Sequence, residues 1–192
     1  MLFRSKSLLF AERTALNFLQ RMSGIATETN KYVTLVADLP VKIVDTRKTA
    51  PGLRVLDKQA VRDGGGANHR FNLSDGILIK DNHIKAAGGI LEAIGKCKAH
   101  APHTLKIEIE VESITGLVEA IDAGADIIML DNMSTEAMKE AVLINAGRAI
   151  LEASGNMSLI RVREVAETGV DIISIGALTH SVKALDISLR FV

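Results

Sequence analysis

The chain has 192 residues, 47% hydrophobic and 24% charged, a profile that suits one globular domain with a real core and excludes a disordered chain. Its 23 basic and 23 acidic side chains cancel, so no global field favours nucleic acid or an anionic membrane surface, and any anion site has to be local.

The first ten residues carry only Leu8-Leu9-Phe10 as an apolar run, too short for a signal peptide, and no stretch approaches the ~18 apolar residues of a membrane span. The single Cys97 has no cysteine to pair with, which predicts a soluble protein of the reducing cytoplasm. From Ala11 to about Thr27, Ala15, Leu16, Leu19 and Met22 recur at helical spacing, predicting an amphipathic helix that opens near Glu12 and Arg13. Gly24 either interrupts that helix or marks a close contact.

Val41 to Pro51 reads as a short apolar strand that stops at Asp45 and unloads Thr46, Arg47, Lys48 and Thr49 into a turn. Cations and hydroxyls at the carboxyl end of a buried strand make an anion pocket; the competing reading is a solvated basic turn. A helical pattern from Val55 to Arg62 then ends in Gly64-Gly65-Gly66, where the chain turns without side chains.

Further apolar runs follow at Gly76–Ile79, Leu105–Val111, Asp126–Leu130, Ala149–Leu151 and Asp171–Ile175. Between them lie helical patterns, one grouping Cys97 with Ile84, Ala87, Leu91 and Ile94 on a buried face, others opened by Ser113, Ser134 and Ser158. Alternating strand and helix is the pattern of parallel β/α units. Every strand is followed by polar residues or glycine: Asp45 to Lys48, Lys80-Asp81-Asn82, Glu110 with Glu112, Asp131-Asn132, Glu152 to Gly155, and Gly176. Polar residues at every carboxyl end favour a barrel mouth over the single switch point of a doubly wound sheet. The expected fold is α/β, an open or incomplete (β/α)8-type barrel of six strands, or seven if Ala184–Leu189 is a strand.

Such a mouth gathers Arg47, Lys48, Lys80 and the Asn68-His69-Arg70 loop, a set suited to a ligand with several negative charges. Glu110 and Asp131 face it, either as neutralising partners or as holders of hydroxyl groups and a hard divalent cation such as Mg²⁺. Ser154-Gly155-Asn156 and Gly176-Ala177 offer backbone N–H groups at expected helix starts, a seat for phosphate. The composition suits a phosphorylated sugar meeting an acidic partner.

The ordered motifs Glu12-Arg13-Thr14-Ala15-Leu16-Asn17, Asp45-Thr46-Arg47-Lys48-Thr49, Asn68-His69-Arg70, Lys80-Asp81-Asn82-His83, Glu108-Ile109-Glu110-Val111-Glu112, Leu130-Asp131-Asn132, Glu152-Ala153-Ser154-Gly155-Asn156 and Ser174-Ile175-Gly176-Ala177 resemble the catalytic domain of the quinolinate phosphoribosyltransferase family. The resemblance runs from about Ala11 to the end. It implies a pentosyl transfer of NAD biosynthesis: quinolinate and phosphoribosyl pyrophosphate give nicotinate mononucleotide, pyrophosphate and CO2, with Mg²⁺.

Carried over, Arg47, His69, Arg70 and Lys80 resemble the family's quinolinate-binding residues, with Arg13 reaching in from a second copy of a homodimer or higher homo-oligomer. Lys48, Glu110, Asp131, Ser154, Gly155, Gly176 and His180 resemble those that hold phosphoribosyl pyrophosphate, Lys80, Glu110 and Asp131 being catalytic and the two carboxylates the metal ligands. The family has an amino-terminal domain before the barrel, so residues 1–10 are expected to be a leader or remnant of it and 11–192 the barrel domain. Two other expectations stand beside the enzyme: a binding remnant without turnover, and a related transferase of molybdenum metabolism.

Overall fold

The computed structural model describes residues 2–190. In chain order the elements are α1 Leu2–Leu35, β1 Lys42–Val44, α2 Arg54–Asp63, β2 Ile77–Ile79, α3 Asp81–Ala87, α4 Ile90–His100, β3 Ile107–Val111, α5 Ile114–Asp122, β4 Ile127–Asp131, α6 Thr135–Asn145, β5 Ile150–Ser154, α7 Val162–Ala166, β6 Ile172–Ser174 and α8 Ala177–His180.

All strand pairs are parallel, in the order β1-β6-β5-β4-β3-β2. Consecutive strands are neighbours throughout except β1 and β2, which form the two edges. This is barrel order with one seam left open. A short segment enters that seam: Val44 forms a parallel bridge with Ala67, whose N–H donates to the Ile43 carbonyl at 2.8 Å. Arg70 Nη1 continues across it to the Gly76 carbonyl, just before β2, at 3.1 Å.

β-branched residues fill the strands because they pack well on a pleated surface with both faces covered. Ile109, Ile128, Leu151 and Ile173 are buried in the core with Leu117, Met138, Val162 and Val165 of the helices. Ser113 and Ser134 cap α5 and α6, each hydroxyl accepting from a backbone N–H three residues on at 3.2 Å. Ser158 bonds Arg161 N–H in the same way but opens a turn, α7 starting only at Val162.

Several expectations are corrected. The first helix does not open at Glu12: α1 runs 34 residues from Leu2 to Leu35, so Arg13 lies inside it. Gly24 does not interrupt α1; a Cβ there would collide with the Lys183 carbonyl, so the glycine admits a close crossing. Ala184–Leu189 is not a strand. It runs along α1, where Leu185 N–H donates to the Gln20 carbonyl at 3.1 Å and Gln20 Nε2 donates to the Ile187 carbonyl at 2.9 Å. The face expected around Cys97 is divided between α3 and α4, with Cys97 half-buried and Leu91 exposed. No described helix is long and apolar enough to cross a membrane.

Candidate active site

Side chains alternate across a strand, so in each unit one parity points toward the helices and the other inward. Leu78 with Lys80, Met129 with Asp131, Glu152 with Ser154, and Ser174 with Gly176 are such inward pairs, and together with Glu110 they line one cavity of about 650 Å³ at the carboxyl ends of the strands. Arg47, Lys48, His69, Arg70, Gly155 and His180 complete its wall. Of the residues singled out from sequence, only Arg13 lies elsewhere, exposed on α1.

The basic loop after β1 is held from several sides, which is why its cations face the cavity rather than wave in solvent. Arg54 of α2 donates to the Arg47 carbonyl at 3.2 Å and to Thr49 Oγ1 at 3.1 Å. Thr179 Oγ1 donates to the Lys48 carbonyl at 2.9 Å. Arg21 of α1 grips Asp57 with two bonds of 2.8 Å, and Asp57 in turn accepts from Ala50 N–H at 3.1 Å.

Asp45 anchors the seam segment rather than a ligand. It is fully buried, pairs with Lys58 at 2.5 Å, and accepts from Asn68 Nδ2 at 2.6 Å and His69 N–H at 2.9 Å. Burial pushes its carboxyl above the usual range, partly offset by Lys58.

At the mouth, Lys80 and Glu110 form an ion pair, and Asp131 accepts from the neighbouring Asn132 side chain at 2.8 Å. Gly155 has a left-handed φ of 90° and packs against Asn132, where any side chain would clash. The Ser154-Gly155-Asn156 turn is not a helix start, since α7 begins at Val162; Gly176 does stand directly before α8, with Lys48 and His180 close against it.

Two functional candidates were missed from sequence. Glu108 and Glu152 occupy inward positions two residues before Glu110 and Ser154, both buried, and converge beneath His69: Nε2 lies 3.3 Å from Glu108 Oε2 and 3.5 Å from Glu152 Oε2. The period-two alternation was the signal that could have found them. Among the described residues this is the one set of three metal-type donors within 4.8 Å of one another; with His69 protonated it is an ion-pair cluster.

Burial opposes charge on His69, yet hydrogen bonds and charge from Glu108 and Glu152 push it up to about 10. Arg70 N–H donates to Nδ1 at 2.8 Å, which favours the neutral ring. Such a bond contributes about 1 kcal/mol net against about 1.4 kcal/mol per pKa unit, too little to cancel two carboxylates. Burial raises Glu108 and lowers Arg70, which also feels Arg47. Glu152 Oε1, Arg47 Nε and Ser174 Oγ are buried without a hydrogen-bond partner among the described residues.

The profile of the quinolinate phosphoribosyl transferase C-terminal domain family matches residues 25–190. The chain belongs to this family. A relative from Bacillus subtilis, a probable nicotinate-nucleotide pyrophosphorylase (carboxylating), is 52% identical over 183 residues, 95% of this chain and 63% of its own length. The Mycobacterium leprae nicotinate-nucleotide pyrophosphorylase is 47% identical over 96% of this chain and 66% of its own. NadC from Streptococcus pyogenes superposes with a TM-score of 0.92 at 51% identity, covering 96% of this chain and 65% of that one. The chain thus spans a little under two thirds of these relatives. The residues that match the family include the whole lining of the strand-end cavity.

Proposed function

We propose that the cavity transfers a phosphoribosyl group from phosphoribosyl pyrophosphate to quinolinate, with loss of CO2. The observation that carries this reading is one cavity lined both by cations, Arg47, Arg70 and Lys80, and by carboxylates, Glu110 and Asp131, the two sets meeting at the Lys80–Glu110 pair. A dicarboxylate suits the first and ribose hydroxyls the second. The unpartnered Arg47 Nε gives the first a donor in want of an anion. The names of the relatives agree.

In this reading the ring nitrogen attacks C1′, the C1′–oxygen bond breaks, and pyrophosphate leaves with the electron pair. The bond from C2 to its carboxylate then breaks, CO2 departs, and C2 takes a proton. Arg47, Arg70 and Lys80 orient the ring carboxylates, while Lys80 is placed to meet charge on the leaving group. Lys48 and the Gly155 and Gly176 turns receive phosphate oxygens.

Glu110 and Asp131, hard oxygen donors on the cavity wall, fit a Mg²⁺ that keeps phosphate oxygens and water in its shell. Bound there it would neutralise pyrophosphate, Glu110 turning to it once Lys80 has turned to the substrate.

Arg13 enters as a residue of a second copy. It shares a face of α1 with exposed Leu9 and Phe10, one turn away, and Phe18 and Leu19 extend the exposed apolar stretch. A homodimer covering this stretch supplies the arginine in trans.

The test is formation of nicotinate mononucleotide from quinolinate, phosphoribosyl pyrophosphate and Mg²⁺ by the purified chain, with calorimetric titration of quinolinate and phthalate beside it. Quinolinate binding with no product defines a binding module. No quinolinate binding rejects the substrate.

A further inference from the structure

We propose that Glu152, with Glu108, is a positioning residue for the substrate carboxylate: from beneath the cavity the pair keeps the His69 ring charged and its Nε2 turned away from the ligand. This rests on the reading of the cavity as a quinolinate site.

The geometry assigns opposite duties to the two ring nitrogens. Nε2 faces the carboxylates at 3.3 and 3.5 Å, so its hydrogen is committed downward. Nδ1 faces the Arg70 backbone N–H at 2.8 Å. Once the ring is charged, Nδ1 also carries a hydrogen, and two donors compete for one space. An anionic oxygen placed there accepts from both and resolves the conflict, so the charged ring favours the liganded state over the empty one.

The other groups around His69 leave this assignment in place. Asp45, at the end of β1, accepts from the His69 backbone N–H, and Lys58 of α2 donates to its carbonyl, which fixes the residue without touching the ring. Glu108 comes from β3 and Glu152 from β5; Arg70 and, through it, Arg47 supply the nearby positive charge. Glu152 is 1% exposed and its second oxygen has no partner among the described residues, so its charge is balanced chiefly by the ring above it. A buried carboxylate kept with so few bonds is costly unless its partner is a cation.

The test follows the His69 ring by NMR against pH, its signal assigned by the His69→Asn variant, alongside quinolinate calorimetry at pH 6 and 8.5. In the unsubstituted chain the ring should show no midpoint below pH 8.5. In Glu152→Gln the midpoint should fall to near neutrality. With a midpoint near 7 the charged fraction at pH 8.5 is about a thirtieth, so the variant should bind quinolinate about ten- to thirtyfold more weakly there, yet at least as tightly as the parent at pH 6.

A midpoint below about 8.5 in the unsubstituted chain overturns the proposal, as does an affinity loss in the variant that is equal at both pH values, the mark of a merely structural carboxylate. Should Glu152→Gln not fold, Glu108→Gln carries the same measurements, and the parent ring titration decides by itself. If the parent binds no quinolinate at either pH, the substrate assignment falls while the ring titration still decides the charge state.

Discussion

Lys80 and Glu110, from the carboxyl ends of the adjacent parallel strands β2 and β3, are ion-paired across the mouth of the cavity. Each is therefore satisfied by the other before any ligand arrives, and an anionic substrate has to draw Lys80 away from its carboxylate. In the proposed reading Glu110 neutralises a cation in the empty site and turns to a hydroxyl or metal when that cation takes up a substrate.

Lys80→Ala should abolish turnover without unfolding the chain. The side chain is about half exposed, so its loss opens no cavity in the core. Charge stabilisation on a leaving group contributes a few kcal/mol, a loss of roughly a hundredfold or more in kcat. Near-normal kcat in a variant with the parent circular dichroism spectrum would remove Lys80 from the mechanism.

Asp131→Asn should weaken phosphoribosyl pyrophosphate much more than quinolinate. Asp131 lines the cavity and accepts one described side-chain bond, from Asn132, so its oxygens remain available to hydroxyls or Mg²⁺. Were it only a counter-charge, removing it would change the field on the dianion and shift quinolinate affinity instead. Parallel titrations with each ligand distinguish these outcomes.

Asp45→Ala should cost stability and substrate binding together. It would strand Lys58 as a buried charge, a loss of about 3–5 kcal/mol, and release Asn68 and the His69 backbone from the seam. Urea unfolding should show the midpoint shift, and quinolinate binding should fall even under conditions where the variant remains folded. Binding at parental strength by the folded variant would show that the seam segment holds its place without Asp45.

The raised His69 value carries a stability prediction of its own. An unfolded histidine loses its proton near 6.5, whereas the folded ring holds it to about 10. The contribution is thus complete below about 6.5 and is lost as pH rises through about 10. Thermal unfolding midpoints should fall across that window in the parent, and His69→Asn should flatten the decline. A midpoint that rises with pH over the same range, with no flattening in the variant, contradicts the geometry.

The convergence of residues on the cavity could be anticipated wherever a charge ends an apolar run, as Lys80 follows Ile77-Leu78-Ile79 and Asp131 follows Ile127 to Leu130. Glu108 was harder to find because it lies inside a run, and Glu152 because it was read with the turn that follows Ala149–Leu151 rather than with the strand. Ile-Glu-Ile-Glu-Val reads equally as a strand with a wet face, and only strand order shows that face to be the interior of a curled sheet. The apparent strand at Leu185, Ile187 and Leu189 fails for a related reason: alternation is present, but α1 supplies the partners that a neighbouring strand would have supplied. The full reach of α1 was hidden because Leu8, Leu9 and Phe10, one run of adjacent apolar residues, are exposed and mark no buried stripe.

The last prediction concerns Arg13. Its place inside α1 removes the simplest alternative, that it merely starts a helix, and the cavity of its own chain is lined without it. The exposed Leu9 and Phe10 beside it are the surface that a second copy would bury, at roughly 25 cal/mol per Å² of apolar area removed from water. In a twofold dimer each site then needs Arg13 from one chain and Lys80 from the other. Mixing the inactive variants Arg13→Ala and Lys80→Ala should restore activity, because half the randomly exchanged dimers are hybrids and one site in each hybrid has both residues, about a quarter of all sites. Quinolinate binding can score the same mixture if turnover is absent in the parent. No recovery, with subunit exchange demonstrated by mass spectrometry of differently labelled chains, would mean that no site takes Arg13 from its partner.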